Sequence, residues 1–521
     1  MDSFKILKHE IDELPSKFAE RLGIQYSKIG KRDLKKLNGQ FFTPIEISTM
    51  MGTLSNYVKN SISILDPGCG MSILSCSLIE HLILKRNAKS IELIVYETDN
   101  EIYKYLECSL TYLANWLKSN NIDFSYNIIL KDFVLENSHV LEDKSTLFNE
   151  GIKLFDIIIS NPPYFKLPKE DIRTIATKSI VNGHPNIYAM FMAISSRLLK
   201  KEGELIFITP RSFASGSYFK LFREKFFNKI EIEKVHVFVS RDRTFKRDKV
   251  LQETIIIKGI RKETINQSAR VRITSSNNYK DINFEEQKNF KHNEIIDINS
   301  KEKILHLPSN DNEENILNMF KKWNGNLKKY DINISTGPVV AFRNKKWIIE
   351  ESINQLETYV PLFWLHNVKQ MALEWPIFKK DKGQFINKTD ESLKTLLPNK
   401  NYILLRRFST KDDKQRLIAA PYFCNITESE YIGVENKVNY IYRKYGHLDR
   451  NEIVGLCALL NSKLFDTYFR IFNGNVNVSA SELREMPFPP YSIIKDIGDR
   501  IILSNDYSTE HLNKLIKELL I

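Results

Sequence analysis

A polar amide, two prolines and a tyrosine stand together in the segment Asn161-Pro-Pro-Tyr164, directly after the apolar run FDIIIS. Two consecutive prolines end a strand, because neither has a backbone N–H and both fix φ. The side-chain carbonyl of Asn161 and the backbone carbonyl of Pro162 can converge as two hydrogen-bond acceptors. This pair suits a planar NH2 group with two donors, and the rigid prolines keep both acceptors in place as charge develops.

The segment therefore predicts a planar amine as a nucleophile. When both of its hydrogens are held, the amine nitrogen leaves planarity and its lone pair becomes available. No general base is needed before attack, because the positive charge forms on nitrogen at transfer and the proton leaves afterwards. The Tyr164 ring offers a stacking surface, which is typically worth about 1–3 kcal/mol per base. A purely structural strand stop is the alternative interpretation of the two prolines.

Acidic residues end the apolar runs that precede this segment. Asp66 ends the run SISILD, and a turn with Gly68 and Gly70 follows it. Glu97 ends the run ELIVYE, at a position where an acid commonly binds ribose hydroxyls. Taken singly, each acid is better explained as a helix cap or a solvated charge, and the glycines as a tight turn. Because ligands of open α/β sheets bind outside the carboxyl ends of the strands, the acids together predict a nucleoside site.

A third acid, Asp132, ends the run YNIILKD and is followed by Phe133. Its carboxylate can accept a hydrogen bond from an adenine amine while the Phe133 ring covers the face of the base. The glycine spacing after the first run is not GxGxxG, so a dinucleotide pyrophosphate is disfavoured.

Short β-rich runs alternate with helical stretches from about residue 62 to residue 260, which predicts βαβ units and a mostly parallel, doubly wound sheet. The predicted strands are SISILD, ELIVYE, YNIILKD, FDIIIS, ELIFITP, EKVHVFV and ETIIIKG. The last of them follow one another closely, which indicates an antiparallel edge. We expect a helical segment at 1–37, an α/β domain at 38–260, a polar connector with a small hairpin at 261–315 and an irregular α+β domain at 316–521.

Composition limits the class of protein. The 521 residues carry a formal net charge of +12, which is compatible with a polyanionic partner but does not establish one. No run approaches the roughly 18 apolar residues of a membrane span, and the mixed-charge N-terminus is not typical of a signal peptide. The five cysteines form no CxxC pair, so we expect reduced thiols, no metal site and a cytoplasmic protein.

Six segments occur in a fixed order, and as a set they resemble the gamma-class, TaqI-like adenine-N6 DNA methyltransferases of restriction-modification systems. They are FFTP (41–44), DPGCG (66–70), YETDN (96–100), KDF (131–133), NPPYF (161–165) and NIYAMF…GELIFITPRSF (186–213). The resemblance spans roughly residues 38–260. It implies a Rossmann-like S-adenosylmethionine-dependent methyltransferase domain with a target recognition domain after it, acting on double-stranded DNA.

The resemblance also implies residue roles. Residues implied for the cofactor are Thr43, Asp66, Gly68 and Gly70 at the methionine part, Glu97 at the ribose, and Asp132 with Phe133 at the adenine. Residues implied for the target adenine are Asn161 and Pro162 at N6, Tyr164 stacking on the flipped base, and Phe245 as a second aromatic that could equally belong to the core. The family turn usually continues DPxCGxG, whereas this chain has Ser72 at the last glycine.

The C-terminal half is expected to recognise DNA. The stretch 402–420 carries a basic set around an aromatic residue, namely Arg406, Arg407, Lys411, Lys414 and Arg416. Arginines can read guanine edges and lysines mostly contact phosphates, although a solvated basic face is the alternative. The aromatic residues of 459–490 are expected to be core. Both stretches resemble PstI/BsuBI-like methyltransferases, which would imply CTGCAG as the target.

Two other functions remain open from the sequence. A methyltransferase acting on RNA or on a protein glutamine would use the same acceptors, although the FFTP start and the basic C-terminal half favour DNA. A catalytically silent DNA-binding relative is disfavoured by the intact Asn161, Pro162 and Tyr164. A fused nuclease is disfavoured, because no acid-acid-lysine metal cluster stands out in the sequence. We expect a monomer that is paired with a separate restriction endonuclease.

Overall fold

The computed structural model describes residues 6–29, 42–86, 88–142, 151–181, 183, 185–238, 253–277, 279, 281–282, 286–298, 300–349, 358–409, 413–474 and 477–521. The chain divides into two compact units, Met1–Ser309 and Asn310–Ile521. None of the helices in these ranges is both long enough and apolar enough to cross a membrane. All five cysteines are free thiols.

A nine-stranded sheet forms the described centre of the first unit, in the order β3-β2-β1-β4-β5-β7-β6-β8-β9. The strands are β1 Ser61–Pro67, β2 Ser90–Tyr96, β3 Asp123–Ile129, β4 Phe155–Ser160, β5 Leu199–Pro210, β6 Ile230–Phe238, β7 Thr254–Arg261, β8 Arg270–Ser276 and β9 Glu286–Lys291. Strands β1 to β5 pair in parallel, and β7 pairs antiparallel with both β5 and β6. The predicted α/β fold with an antiparallel edge is confirmed.

Helices cover both faces of this sheet. They are α1 Pro15–Ile29, α2 Ile45–Thr53, α3 Ile73–Arg86, α4 Asn100–Ser119, α5 Phe133–Asn137, α6 Ile172–Ala176, α7 Ile187–Leu198, α8 Lys220–Phe227 and α9 His292–Ile295. Helix α4 shows why they form: Asp99 caps its first turn by accepting from the backbone N–H of Glu101, and buried apolar residues recur every three or four positions.

The alternation of side chains along the central strands sends apolar residues into two separate cores. Ile157 and Ile159 of β4 join the cluster under α1 to α4, while Ile158 joins the cluster under α7 and α8. All six residues of β4 are buried, because β1 and β5 flank the strand and helices cover both faces. The strand that carries the Asn161 segment is therefore the most enclosed part of the sheet.

The stretch predicted as a connector at 261–315 differs in the structure. Residues 270–291 carry β8 and β9, and β8 pairs in parallel with β6. The nine-stranded sheet thus continues through this polar stretch, and the first unit extends to Ser309. The antiparallel pair β8–β9 is the small hairpin that the sequence predicts, and it joins the sheet edge, where one face is exposed to solvent and few apolar residues are needed.

The second unit is a mixed α+β assembly of small sheets and helices, as the sequence predicts. Its strands are β10 Ile332–Thr336, β11 Ile348–Ile349, β12 Tyr359–Phe363, β13 Val368–Lys369, β14 Ala372–Leu373, β15 Phe385–Asn387, β16 Leu397–Pro398, β17 Tyr402–Arg406, β18 Ala419–Tyr422, β19 Tyr431–Val434 and β20 Val438–Arg443. Its helices are α10 Asp311–Lys321, α11 Asp390–Leu393, α12 Arg450–Asn461, α13 Lys463–Phe472, α14 Ala480–Glu485, α15 Tyr491–Ser504 and α16 Thr509–Leu520. The aromatic residues of α13 are buried, as expected.

Candidate active site

The carboxyl ends of β1, β2 and β4 meet at one edge of the sheet because these strands are parallel neighbours. The hydroxyl of Ser160, at the end of β4, donates to the carbonyl of Pro67 at 2.6 Å. The backbone N–H groups of Gly68 and Cys69 donate to the carbonyl of Tyr96 at 2.9 and 3.1 Å. These bonds fix the three strand ends as one rigid rim.

The turn after β1 needs residues that tolerate positive φ. Gly68 has φ +74° and Gly70 φ +55°, and the backbone of both lines a cavity. A Cβ added at Gly68 would lie 3.5 Å from the Phe191 ring, and one at Gly70 would lie 3.6 Å from the Phe42 ring. Ser72 also has φ +62°, which explains why the resembling family usually has glycine there.

Glu97 is held by its own loop. Its Oε1 accepts from the backbone N–H of Thr98 and Asp99 at 2.8 and 3.0 Å, and its Oε2 accepts from the N–H of Gly70 at 3.1 Å. Burial raises the pKa of Glu97, while these N–H groups oppose the shift. The carboxylate therefore ties the Gly turn to the end of β2 and keeps further lone pairs for a ligand.

Asp66 lies beneath the Gly turn and is almost fully buried, at 1% exposure. Its Oδ2 accepts from the Ser75 hydroxyl at 2.6 Å, while its Oδ1 has no hydrogen-bond partner among the described residues. Burial raises the pKa of Asp66 to about 7. A buried acceptor without a partner marks a place where a polar or cationic ligand group would be stabilised.

The two carboxylate oxygens of Asp132 make different contacts. Its Oδ1 accepts from the N–H groups of Val134 and Leu135, so it caps α5, and its Oδ2 lies 3.6 Å from the guanidinium of Arg173. Arg173 is in turn held bidentately by Asp171 at 2.9 and 2.7 Å. The helix-cap interpretation and a ligand role are thus compatible, because one oxygen serves each.

Asn161 lies at the end of β4 with both ends of its amide engaged. Its Nδ2 donates to the Thr43 hydroxyl at 2.9 Å, which ties the segment before α2 to the Asn161-Pro-Pro-Tyr164 segment. The Tyr164 hydroxyl lies 2.6 Å from Asn161 Oδ1 and 3.0 Å from the carbonyl oxygen of Ile208. Burial raises the pKa of Tyr164 well above its usual value, so this hydroxyl keeps its proton.

These side chains surround a cavity of about 250 Å³. The predicted site residues in its wall are Thr43, Gly68, Gly70, Glu97, Asp132, Phe133 and Asn161. Asp66, Pro162 and Tyr164 are not among the residues that line it. Phe165, Arg173 and Phe191 also line the cavity. Phe165 and Phe191 lie in quoted motifs but were given no role, whereas nothing local marks Arg173 as a neighbour of the strand ends. Phe245 lies outside the described residues.

The predicted DNA-contact residues of the second unit are not equivalent. Arg416 does not fit that role, because it is fully buried and donates to Ser409 at 2.9 Å and to Asn473 at 2.9 Å. Arg406 donates from Nε to the carbonyl of Val368, and burial lowers its pKa. Lys414 is exposed.

The remaining members of the basic set are Arg407 and Lys411. Arg407 is half-buried and donates from Nη1 to the carbonyl of Asn436 at 2.9 Å. Lys411 lies outside the described residues. Within the ranges that the structure covers, no group of three or more His, Cys, Asp or Glu could hold a metal ion.

The chain matches known restriction-modification proteins over most of its length. Residues 74–245 match the family described as Eco57I restriction-modification methylase. The type II methyltransferase M.BsuBI of Bacillus subtilis is 32% identical over 467 residues, which is 89% of this chain and 90% of the relative. The type II methyltransferase M.PstI of Providencia stuartii is 31% identical over 477 residues, which is 90% of each.

A solved structure also aligns with nearly the whole chain. It is a nuclease-deletion mutant of the type ISP restriction-modification enzyme LlaGI in complex with a DNA substrate mimic, at 11% identity and a TM-score of 0.48, covering 96% of this chain and 52% of that one.

An α/β sheet with a cavity outside its parallel strand ends agrees with the Rossmann-like methyltransferase domain predicted from the sequence. The chain belongs to the family of type II restriction-modification DNA methyltransferases that includes M.BsuBI and M.PstI. The PstI/BsuBI-like resemblance is confirmed, and with it S-adenosylmethionine as the cofactor. The roles of individual residues are proposals.

Proposed function

We propose that this protein methylates N6 of an adenine that is rotated out of double-stranded DNA, protecting that site from a separate restriction endonuclease. The observation that carries the proposal is the position of Asn161, in the wall of the cavity and fixed there by Thr43 and Tyr164. An amide held in this way presents an acceptor to a planar amine at the edge of the cofactor site.

The cavity residues fit S-adenosylmethionine. The Gly68–Gly70 turn, whose positive φ angles favour glycine, brings its backbone to the cavity, and the partnerless Oδ1 of Asp66 beneath it suits a cationic cofactor. Glu97 would hold the ribose, while Asp132 Oδ2 and the Phe133 ring would hold the adenine. When bound, the cofactor supplies a methyl group on a positively charged sulfur.

The chain's own residues would prepare the target amine. The carbonyls of Asn161 and Pro162 accept its two hydrogens, which makes the nitrogen lone pair available. The Tyr164 hydroxyl steadies the Asn161 amide from behind, at 2.6 Å, so little reorganisation accompanies the developing charge. The proton leaves the nitrogen after transfer. Rotation of the base out of the duplex costs a few kcal/mol, which stacking and these hydrogen bonds offset.

Several finer assignments belong to the same proposal. The second unit is the target recognition domain, and the similarity to M.PstI and M.BsuBI supports CTGCAG as the site to test first. We expect a monomer, since each strand of a hemimethylated site is modified separately. An RNA or protein-amide acceptor would use the same Asn161 geometry, so the acceptor must be identified directly.

The test is expression of the whole chain in a methylation-free host, followed by sequencing of the host DNA for N6-methyladenine. We expect one short motif to be modified nearly everywhere. The variant Asn161→Ala should retain cofactor binding in calorimetry but lose transfer by at least a hundredfold, which corresponds to about 2.7 kcal/mol.

Absence of modified adenine in DNA, from protein that binds S-adenosylmethionine, would contradict the proposal and direct the search to RNA or protein amides. Full activity of Asn161→Ala would remove the role given to the amide.

A further inference from the structure

Three loops of the second unit meet on one surface. Arg407 joins two of them, because its backbone N–H donates to the carbonyl of Lys437 at 2.9 Å and its Nη1 donates to that of Asn436 at 2.9 Å. Arg406 joins the third, donating from Nε to the carbonyl of Val368 at 2.7 Å. The segments 364–384, 406–407 and 435–437 therefore form one continuous patch, which we call the loop surface.

Lysines from separate segments converge on the loop surface. Burial lowers the pKa of His366, and the nearby charges of Lys379 and Lys382 lower it further. Lys382 Nζ also lies 4.4 Å from the centre of the Trp364 ring. Burial raises the pKa of Glu435, and the charges of Lys437 and Lys382 oppose that shift. The charge of Lys382 thus acts on both His366 and Glu435, together with that of Lys379 at the first and of Lys437 at the second.

None of the three lysines Lys379, Lys382 and Lys437 forms a close ion pair among the described residues. Among the described residues, no carboxylate lies within 4.0 Å of the side-chain nitrogen of Lys379, Lys382 or Lys437, whereas Lys369 pairs with Glu374 at 3.5 Å. Lys379 and Lys437 are solvent-exposed. Like charges brought together without partners repel one another, so an arrangement of this kind is stabilised by a polyanion.

Exposed aromatic rings border the lysines. Phe378, next to Lys379, is 55% exposed, and Phe408, next to Arg407, is 40% exposed. The Arg407 guanidinium lies 5.8 Å from the centre of the Phe408 ring. Rings beside cations are typical of surfaces that contact nucleic acid, where cations hold phosphates and rings pack against sugars or bases.

We propose that the loop surface holds the sugar-phosphate backbone of duplex DNA, with Lys379, Lys382 and Lys437 as the phosphate contacts. The inference rests on the proposed function and refines it, since it separates backbone positioning from base reading. Lysines are point charges that contact phosphates without selecting a sequence, and Arg406 and Arg407 are already fixed on main-chain carbonyls.

The test uses the full chain and an unmethylated duplex that contains the modified motif. Fluorescence anisotropy at a series of KCl concentrations gives the affinity and its salt dependence. In the variant K379Q/K382Q/K437Q, we expect the slope of log affinity against log salt to fall by about 0.9 for each lost contact. Affinity at low salt should fall more than tenfold, while the modified motif stays the same.

The matched control is K463Q/K514Q/K517Q, which removes three exposed lysines from helices of the same unit. A slope and affinity equal to those of this control would overturn the proposal. A changed motif in the triple variant would also overturn the proposal, because it would mean that these lysines read bases. Equal competition by an RNA duplex would overturn it as well, because the surface would then not be specific for DNA. Substitution by arginine should restore binding if the lysines act through charge.

Failure of the proposed function would look different. A protein that binds duplex DNA with the expected loss of slope, yet leaves adenine unmodified, would keep the loop surface and reject adenine methylation. Modified adenine in DNA, together with unchanged DNA affinity and salt dependence in the triple variant, would keep adenine methylation and reject the loop surface.

Discussion

At the scale of the residue, the structure shows contacts of the Tyr164 hydroxyl that the sequence did not indicate. The sequence indicates stacking on a base, whereas the hydroxyl also lies at hydrogen-bond distance from the Asn161 amide and the carbonyl of Ile208. Tyr164→Phe keeps the ring and removes the hydroxyl, so we expect kcat to fall about tenfold, or ~1.4 kcal/mol, with unchanged cofactor affinity.

Tyr164→Ala is the matching variant, since it removes the ring as well. Single-turnover methylation of a duplex should show a larger loss for alanine than for phenylalanine. Equal rates for wild type and Tyr164→Phe would mean that the hydroxyl does not position the amide.

Arg173 is a cavity residue outside the motifs that the sequence analysis identified. Its guanidinium faces Asp132 Oδ2 at 3.6 Å and is held by Asp171, so it steadies the carboxylate proposed for the cofactor's adenine. Arg173→Ala should raise the cofactor Kd about tenfold, or ~1.4 kcal/mol, in calorimetry.

A double-mutant cycle with Asp132→Asn tests whether Arg173 acts through that carboxylate. The arginine substitution should cost much less in the Asp132→Asn background. The same tenfold cost in both backgrounds would show that Arg173 contacts the ligand independently or only supports the fold.

At the scale of the element, helix α2 positions the Thr43 end of the site. Glu20 of α1 accepts from the N–H of Ile45 at 3.1 Å, which fixes the start of α2 beside Thr43. The hydroxyl of Tyr26, also on α1, donates to Asp99 at 2.9 Å in the loop that Glu97 organises. Helix α1 thus connects the two loops that border the cavity.

Gly52 permits the close packing of α2 on α3. A Cβ there would lie 2.7 Å from the backbone oxygen of Ser77, so one of the helices must move. Gly52→Ala should lower the free energy of unfolding by about 1–3 kcal/mol and weaken cofactor binding, because Thr43 directly precedes Pro44, the N-cap of α2. Thr53→Ala, at an exposed neighbour, is the control in thermal unfolding. Unchanged stability and affinity in Gly52→Ala would contradict this account.

At the scale of the whole molecule, a buried histidine couples folding to pH. His292 is fully buried, neither ring nitrogen has a hydrogen-bond partner among the described residues, and burial lowers its pKa to about 4. An unfolded histidine has a pKa near 6.5, so between about pH 6.5 and 4 the unfolded chain binds a proton that the folded chain does not. Stability therefore falls as the pH falls through this window, by about 3 kcal/mol from this group.

Urea unfolding at several pH values measures this effect. His292→Leu should flatten the profile between pH 6.5 and 4, whereas His447→Gln, at an exposed position, should leave the wild-type slope. A wild-type slope in His292→Leu would assign the loss of stability to other groups.

Local sequence determined the sheet and the chemistry at its edge. The parallel strands and the nucleoside site were both predicted from apolar runs that end on Asp66, near Asp132 and at Asn161. This was possible because the apolar pattern of a strand and the residue that ends it lie within a few positions of sequence. The parallel arrangement then brings those ends together without further information. The membership of the family also followed from ordered motifs.

Only the tertiary structure decided which side chains are free to act. Arg416 looks equivalent to Arg407 along the chain, yet long-range packing buries it against Asn473. Arg173 reaches Asp132 across 41 positions of sequence, and the polar stretch before Ser309 completes a sheet instead of linking two units. Burial and pairing depend on residues distant in sequence, so they follow from how the elements pack and not from any local pattern.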